Sequence, residues 1–141
     1  MLSKKTKYGL KALSYLAKQE HNVPVLISEI SESENISKKF LESILLTLKK
    51  NGVLASKKGK GGGYFLLKRP EEIKISSIIR VLEGPIAMLP CVSLNYYQKC
   101  DDCKSEESCS LNILMAEVRD STLKILENKT LANFHCGDSQ K

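Results

Sequence analysis

Along residues 4–19 the apolar positions keep helical spacing. Tyr8, Ala12, Tyr15 and Leu16 share one stripe, Leu13 flanks it, and Lys7, Lys11 and Lys18 face away. This period predicts an amphipathic helix, broken at Asn22 to Pro24. A short second helix is expected with Ser28 as its N-cap and Glu29 in its first turn, where a carboxylate favours the helix dipole. A turn at Asn35-Ile36 follows. Ser37 then caps a third helix, SKKFLESILLTLKKNG, with Phe40, Leu41, Ile44, Leu45 and Leu48 on its buried face and Lys49 and Lys50 in its last turn. Gly52 stops it. Two helices joined by a short turn, the second bearing exposed Lys38, Lys39 and Ser43 near its start, have the layout of a helix-turn-helix. The N-terminal residues of such a recognition helix reach base edges in the major groove.

The next stretch changes period. VLASKKGKGGGYFLLKRP reads as two short apolar strands, around Val53 to Ala55 and Tyr64 to Leu67, joined by a tip of lysine and glycine. Gly59 and Gly61 to Gly63 permit positive φ and close backbone approach, while Lys57, Lys58 and Lys60 supply charge. A basic hairpin directly after a helix-turn-helix has the layout of a wing, able to straddle a phosphate ridge and place a lysine in the minor groove. A nucleotide-binding P-loop is a rival reading of KGKGGGY whose consensus fails. No GK[ST] follows, and the next element is a strand instead of a helix whose N-terminus could hold phosphate.

Beyond Pro70 and Glu71-Glu72, Ile75 to Leu82 predicts a helix with Ser76 or Ser77 at its cap, closed by Gly84-Pro85. From about Ser110 a long helix carries Leu111, Met115, Val118, Thr122 and Ile125 on one stripe, with Leu114 and Leu126 beside it. So wide an apolar face on so small a chain needs another protomer or the first helix to cover it, which implies a homodimer. The predicted architecture is mainly α with a small β-hairpin. It comprises a winged helix-turn-helix domain at 1–70, a connecting helix and cysteine-rich segment at 71–109, a long C-terminal dimerisation helix at 110–132, and a flexible tail at 133–141.

Between the last two helices lies CVSLNYYQKCDDCKSEESC, which holds four of the five cysteines, Cys91, Cys100, Cys103 and Cys109. Polar residues fill the gaps between them, so inert core thiols fit poorly and ligation of a metal centre fits well. Zinc accepts four thiolates, and a C-x2-C pair suits it. Iron–sulfur clusters also take cysteine thiolates from loops. A redox-sensing dithiol needs only two reactive thiols within reach. Spacing does not separate these three. Cys136, beside His135, is expected in the tail and outside any site.

Charge sharpens the picture. The net charge of +6 is uneven. Residues 1–70 carry 14 Lys and Arg against 5 Glu, and residues 71–141 carry 8 against 11 Asp and Glu, so the halves stand at +9 and −3. A basic front half suggests a polyanion partner. No apolar run approaches the ~20 residues of a membrane span, so no membrane role is expected. The N-terminus is basic and then amphipathic, unlike a signal peptide, which leads to an expectation of a cytoplasmic protein with reduced thiols. Neither histidine has a nucleophile placed near it by any motif, and no enzyme activity is expected.

Taken together, TKYGLKALSYLA, ISKKFLESILLTLKKNGVL, KKGKGGGYFLLKRPEEI, SSIIRVLEGPI and the cysteine run resemble the IscR/NsrR/CymR-type family of winged-helix bacterial transcriptional regulators. The resemblance spans residues 3 to about 130. It implies a homodimeric repressor on partly palindromic double-stranded DNA, in many members with a [2Fe-2S] or [4Fe-4S] cluster held by three cysteines and one other ligand. Carried over position by position, it places base contacts on Lys39, Glu42 and Ser43 and the wing's minor-groove residue on Lys58. Cys103 and Cys109 match the last two ligand cysteines, and either Cys91 or Cys100 matches the first. Asn112 stands where one branch has a ligating histidine. Asparagine is a poor ligand for iron, so an all-cysteine site is expected from Cys91, Cys100, Cys103 and Cys109. Some members bind no cluster and sense through a thiol or a small molecule. A zinc-stabilised protein–protein adaptor remains a further alternative.

Overall fold

The computed structural model describes residues 2–134. Of the expected tail, residues 135–141, with His135 and Cys136, lie outside the described residues, whereas Asn133 and Phe134 are described and Phe134 packs partly buried against the core. Helix α1 spans Lys4–Ala17, α2 Ile27–Glu34 and α3 Lys38–Lys50; strands β1 and β2 span Leu54–Lys57 and Gly63–Leu66; α4 spans Ile75–Leu82 and α5 Ser110–Leu126. Short 3-10 turns at Pro70–Glu72 and Pro90–Val92 complete the chain.

One apolar core joins the first four helices to the hairpin. Leu13, Ile30, Leu41, Ile44, Leu45, Leu48, Leu54 and Ile78 are fully enclosed in it. The face that α1 buries includes residues that look polar or small in sequence: Thr6, Gly9 and Ser14 are all buried. Gly9 lies against α4 so closely that a β-carbon there would stand 2.3 Å from Leu82 Cδ1. The N-terminus of α1 is held from the far side of the core. Glu83, just after α4, accepts from the Ser3 amide and from the Thr6 hydroxyl, each at 2.7 Å. These bonds hold its carboxyl below the ordinary carboxylate value, the Ser3 amide contributing most.

The helix-turn-helix forms as expected, with one shift. Helix α2 starts after Leu26, which offers no side-chain cap, so Ser28 lies inside the first turn instead of capping it. The turn works through Asn35, which takes a left-handed φ of 55°, while buried Ile36 is tied back to Ser31 through an amide-to-carbonyl bond of 3.1 Å. Ser37 caps α3 by accepting from the Phe40 amide at 3.2 Å.

The hairpin pairs Leu54 with Leu66 and Lys57 with Gly63 in antiparallel register. Sequence periodicity gave no hint of its third partner. Val25, in the link before α2, bridges Tyr64 with two main-chain bonds of 2.8 Å, fastening the hairpin to the helix-turn-helix. Neither expected serine caps α4: Lys74 stands at its N-cap, and Ser77 donates back to the Lys74 carbonyl at 2.7 Å.

Helix α5 ends at Leu126, short of residue 132. The chain then returns to the core. Thr130 bridges Lys74, the Leu131 amide donates to the Ile73 carbonyl at 3.0 Å, and Leu131 is almost wholly enclosed. Along α5 itself, Leu123 is the one buried residue. Leu111, Ile113, Leu114, Val118 and Ile125 are exposed, so the expected stripe is an open face and not a packed one. Helix α1 does not cover it; α5 docks on α4 and on the Pro90–Val92 turn. No described helix is long and apolar enough to cross a membrane.

Candidate functional site

Two surfaces carry chemistry. On the first, α3 turns Leu41, Ile44, Leu45 and Leu48 inward and leaves Lys38, Lys39, Glu42 and Ser43 exposed. The hydroxyl of Ser43 donates to the Phe40 carbonyl at 2.9 Å, so its hydrogen is used within the helix and its oxygen is left to accept. Along the wing, Lys57, Lys58 and Lys60 are also exposed. The tip owes its shape to glycine. Gly59 and Gly61 take φ of 86° and 76°, and a β-carbon on Gly62 would fall 2.1 Å from the Lys57 carbonyl oxygen. Among the described residues no carboxylate pairs with any of these five lysines. Their charge is therefore presented undiminished to a partner, the condition for strong phosphate attraction.

The second surface is the cysteine segment. Cys91, Cys100, Cys103 and Cys109 all line one concavity of about 600 Å³, together with Asn112 at the start of α5. All four are free thiols, and their environments differ. Cys91, Cys103 and Cys109 are partly covered, whereas Cys100 is exposed. Cys100 Sγ donates to Asp102 Oδ1 at 2.7 Å; that bond pushes its thiol up and the Asp102 carboxyl down. Since the thiolate is the metal-binding form, the Asp102 bond works against ligation by Cys100 as it stands.

Asn112 joins the other ends of the segment. Its side-chain amide donates to Cys91 Sγ at 3.3 Å, and its main-chain amide donates to Cys109 Sγ at 3.4 Å, which makes Cys109 the N-cap of α5. Two further ties hold the segment. Tyr97 donates to Glu106 Oε2 at 2.5 Å, a bond that pushes its phenol up to about 12. The Arg119 guanidinium donates to the Val92 carbonyl at 2.8 Å, fixing the turn next to Cys91 onto α5. Among the described residues no three His, Cys, Asp or Glu side chains are drawn close enough together to hold a metal ion. The donor set nonetheless suits an iron–sulfur cluster or zinc in kind: thiols on one concavity, with N–H groups aimed at two of the sulfurs.

The family model described as Rrf2, iron-dependent transcriptional regulator, matches residues 2–136. The chain belongs to the Rrf2 family. It is similar to an rrf2-like HTH-type regulator of Rhodobacter capsulatus, at 45% identity over 95% of this chain and 91% of that one. Among solved structures it resembles CymR, the global cysteine regulator of B. subtilis, with a TM-score of 0.76 and 30% identity over 94% of both chains. It also resembles T. potens IscR, with a TM-score of 0.73 and 32% identity over 94% of this chain and 84% of that one. Rrf2 relatives are transcriptional regulators and not enzymes, so this chain is a transcriptional regulator with the winged-helix fold and the DNA-binding character of its family.

Within this Rrf2 chain the structure brings all four expected cysteines to one concavity, and leaves every expected basic residue of α3 and the wing exposed. Sequence reasoning missed two contributors. Arg119 looked like an ordinary helix charge, and no motif marks a main-chain carbonyl as its target. Asn112 was noticed only as a poor ligand; that an amide at an N-terminal helix position has donors to spare was the available signal.

Proposed function

We propose that this Rrf2 regulator is a homodimeric DNA-binding repressor in the cytoplasm, whose operator affinity is set by an iron–sulfur cluster held by cysteines of the 91–109 segment. The observation that carries the DNA part is the set of five exposed lysines at the start of α3 and along the wing, none of them paired with a carboxylate among the described residues. Lys39, Glu42 and Ser43 would meet base edges, with Glu42 accepting from cytosine N4 or excluding other bases by leaving its carboxylate unpaired. Lys58 would enter the minor groove, and Lys38, Lys57 and Lys60 would neutralise phosphates. The open apolar face of α5 supports a second protomer there, placing two recognition helices in successive major grooves roughly 34–36 Å apart.

The cofactor part rests on the donor chemistry of the shared concavity and on the iron dependence named for the family. When bound, the cluster supplies a centre that can be oxidised, nitrosylated or lost. The chain's own residues do the rest. Cysteines and Asn112 order the segment, and the Arg119 bond to Val92 passes that order to α5. A change in α5 alters the dimer geometry and so the spacing of the wings. Regulation is thus a population shift between two dimer geometries of different stability.

A second reading has one observation in its favour. Cys100 is exposed and the four thiols are not pre-gathered on an ion, as suits a thiol-sensing regulator of the same fold. Anaerobic purification with an absorption spectrum and iron, sulfide and zinc analysis, followed by operator footprinting of loaded and emptied protein, tests both. Iron with sulfide and a footprint that differs between the two forms is the expected result. A colourless zinc protein sinks the cofactor, and affinity that does not fall as salt rises sinks the DNA reading.

A further inference from the structure

Helix α3 buries Leu41, Ile44, Leu45 and Leu48 and carries one further leucine on its opposite side. Leu46 is 45% exposed, the one large apolar side chain of this helix left open to solvent. At 3.6 residues per turn it lies about 160° round the helix from Ile44 and within about 60° of Lys39, Glu42, Ser43 and Lys50. All four of those neighbours are exposed. Leu46 thus stands at the centre of the face that the polar side chains define. The fold gives it no task there, for it belongs neither to the apolar core nor to the layer packed against that core.

Its surroundings narrow what it can meet. Thr47 donates its hydroxyl to the Ser43 carbonyl at 3.0 Å, as Ser43 does to the Phe40 carbonyl at 2.9 Å. Both hydroxyl hydrogens are therefore used inside the helix, and the face offers acceptors, cations and one leucine. Of the groups that base pairs present in the major groove, only the thymine C5-methyl is apolar. Any other base would bring a polar edge against a side chain that can satisfy none of its hydrogen bonds. Leu46 lies four residues beyond Glu42, about 6 Å along the axis, and successive base pairs rise about 3.4 Å. With α3 running along the groove, the two side chains address bases about two steps apart.

We propose that Leu46 is a specificity-determining residue of the operator contact, packing on the C5-methyl of a thymine in each half-site. This rests on the DNA reading above and adds to it an apolar base contact beside the polar one of Glu42. The two side chains ask for different chemistry: a carboxylate accepts from cytosine N4, whereas a leucine gains only where a methyl group meets it.

The full-length chain, purified anaerobically, gives the test by selecting binding sites from a pool of random-sequence duplexes. Wild type is expected to enrich a thymine in each half-site at a position that Leu46→Ala leaves free to vary. In the selected duplex that thymine is then replaced by deoxyuridine, which removes the methyl group and nothing else. Wild type should bind the uracil duplex about four-fold more weakly, as the loss of one buried methyl predicts. Leu46→Ala should bind the thymine duplex several-fold more weakly than wild type does and should no longer tell thymine from uracil. Circular-dichroism melting checks that the variant is folded; a change in stability alone would not erase discrimination by a single methyl. A wild type indifferent to uracil at every thymine of the selected site overturns the role of Leu46 and leaves the DNA reading intact. A Leu46→Ala protein that still discriminates does the same. A wild type that enriches no sequence overturns the DNA reading, and this proposal falls with it.

Discussion

Gly63 of β2 sits directly under the carbonyl of Val25. Its φ is 144°, and a β-carbon there would stand 2.3 Å from that oxygen. The obstacle is main chain, which cannot swing aside as a side chain can. Close approach at this one point lets Tyr64 and Val25 exchange their two bonds of 2.8 Å and anchors the wing. Gly63→Ala is expected to cost about 2–4 kcal/mol, from backbone strain and overpacking together. Urea denaturation reads the loss. Operator affinity should also fall at temperatures where the variant is still folded, because the wing loses its anchor.

The return of the chain after α5 is a second point of high cost. Leu131 lies in the main core although it follows the long helix, and its amide is bonded to Ile73. Leu131→Ala removes a fully buried side chain and is expected to destabilise the protein by about 2–5 kcal/mol, read from the denaturation midpoint at constant slope. A small effect would mean that this segment is peripheral to the fold.

Operator binding separates Lys58 from Glu42. Lys58→Ala should weaken binding to all DNA sequences alike and lower the salt slope by about one per protomer. Glu42→Ala should instead relax preference at one base position by about 1–3 kcal/mol, seen by competition among operators carrying single-base changes. Uniform weakening by Glu42→Ala would remove its role in base reading.

Glu83 gives the protein an acid-sensitive clasp. Its carboxyl is held below the ordinary value by donation from Ser3 and Thr6. A carboxyl depressed in the folded state contributes stability above its unfolded pKa and loses it as pH falls through the folded one. The melting temperature of wild type is thus expected to exceed that of Glu83→Gln near neutrality. The gap should narrow as pH drops below about 4.5. A gap constant down to pH 3 would show that the bonds owe nothing to the charge.

Much of this fold was legible, and the reasons are local. Helix α3 announced itself through a capping serine, a clean apolar face and a terminal glycine, all of which the structure keeps. The wing was legible because glycines cluster where only glycine fits. What escaped were contacts without period. Val25 forms a single bridge, Leu131 is an isolated apolar residue in a polar stretch, and Leu26 caps α2 with no polar side chain. Leu123, absent from the expected stripe of α5, turned out to be the residue that docks it. At the site, clustering of the cysteines was plain in the sequence. Their division into covered and exposed thiols was not, because it depends on Asn112 and Asp102 reaching across turns.

In the proposed dimer, the slender anchorage of α5 would couple abundance to competence. A helix of 17 residues with one buried side chain is marginal by itself in water, so it takes its rigidity from whatever lies on its open side. Dilution should fray this arm first, visible as rapid amide exchange there while the winged helix stays protected. In a dividing cell, the copy number of such a dimer would then become an input to its own output.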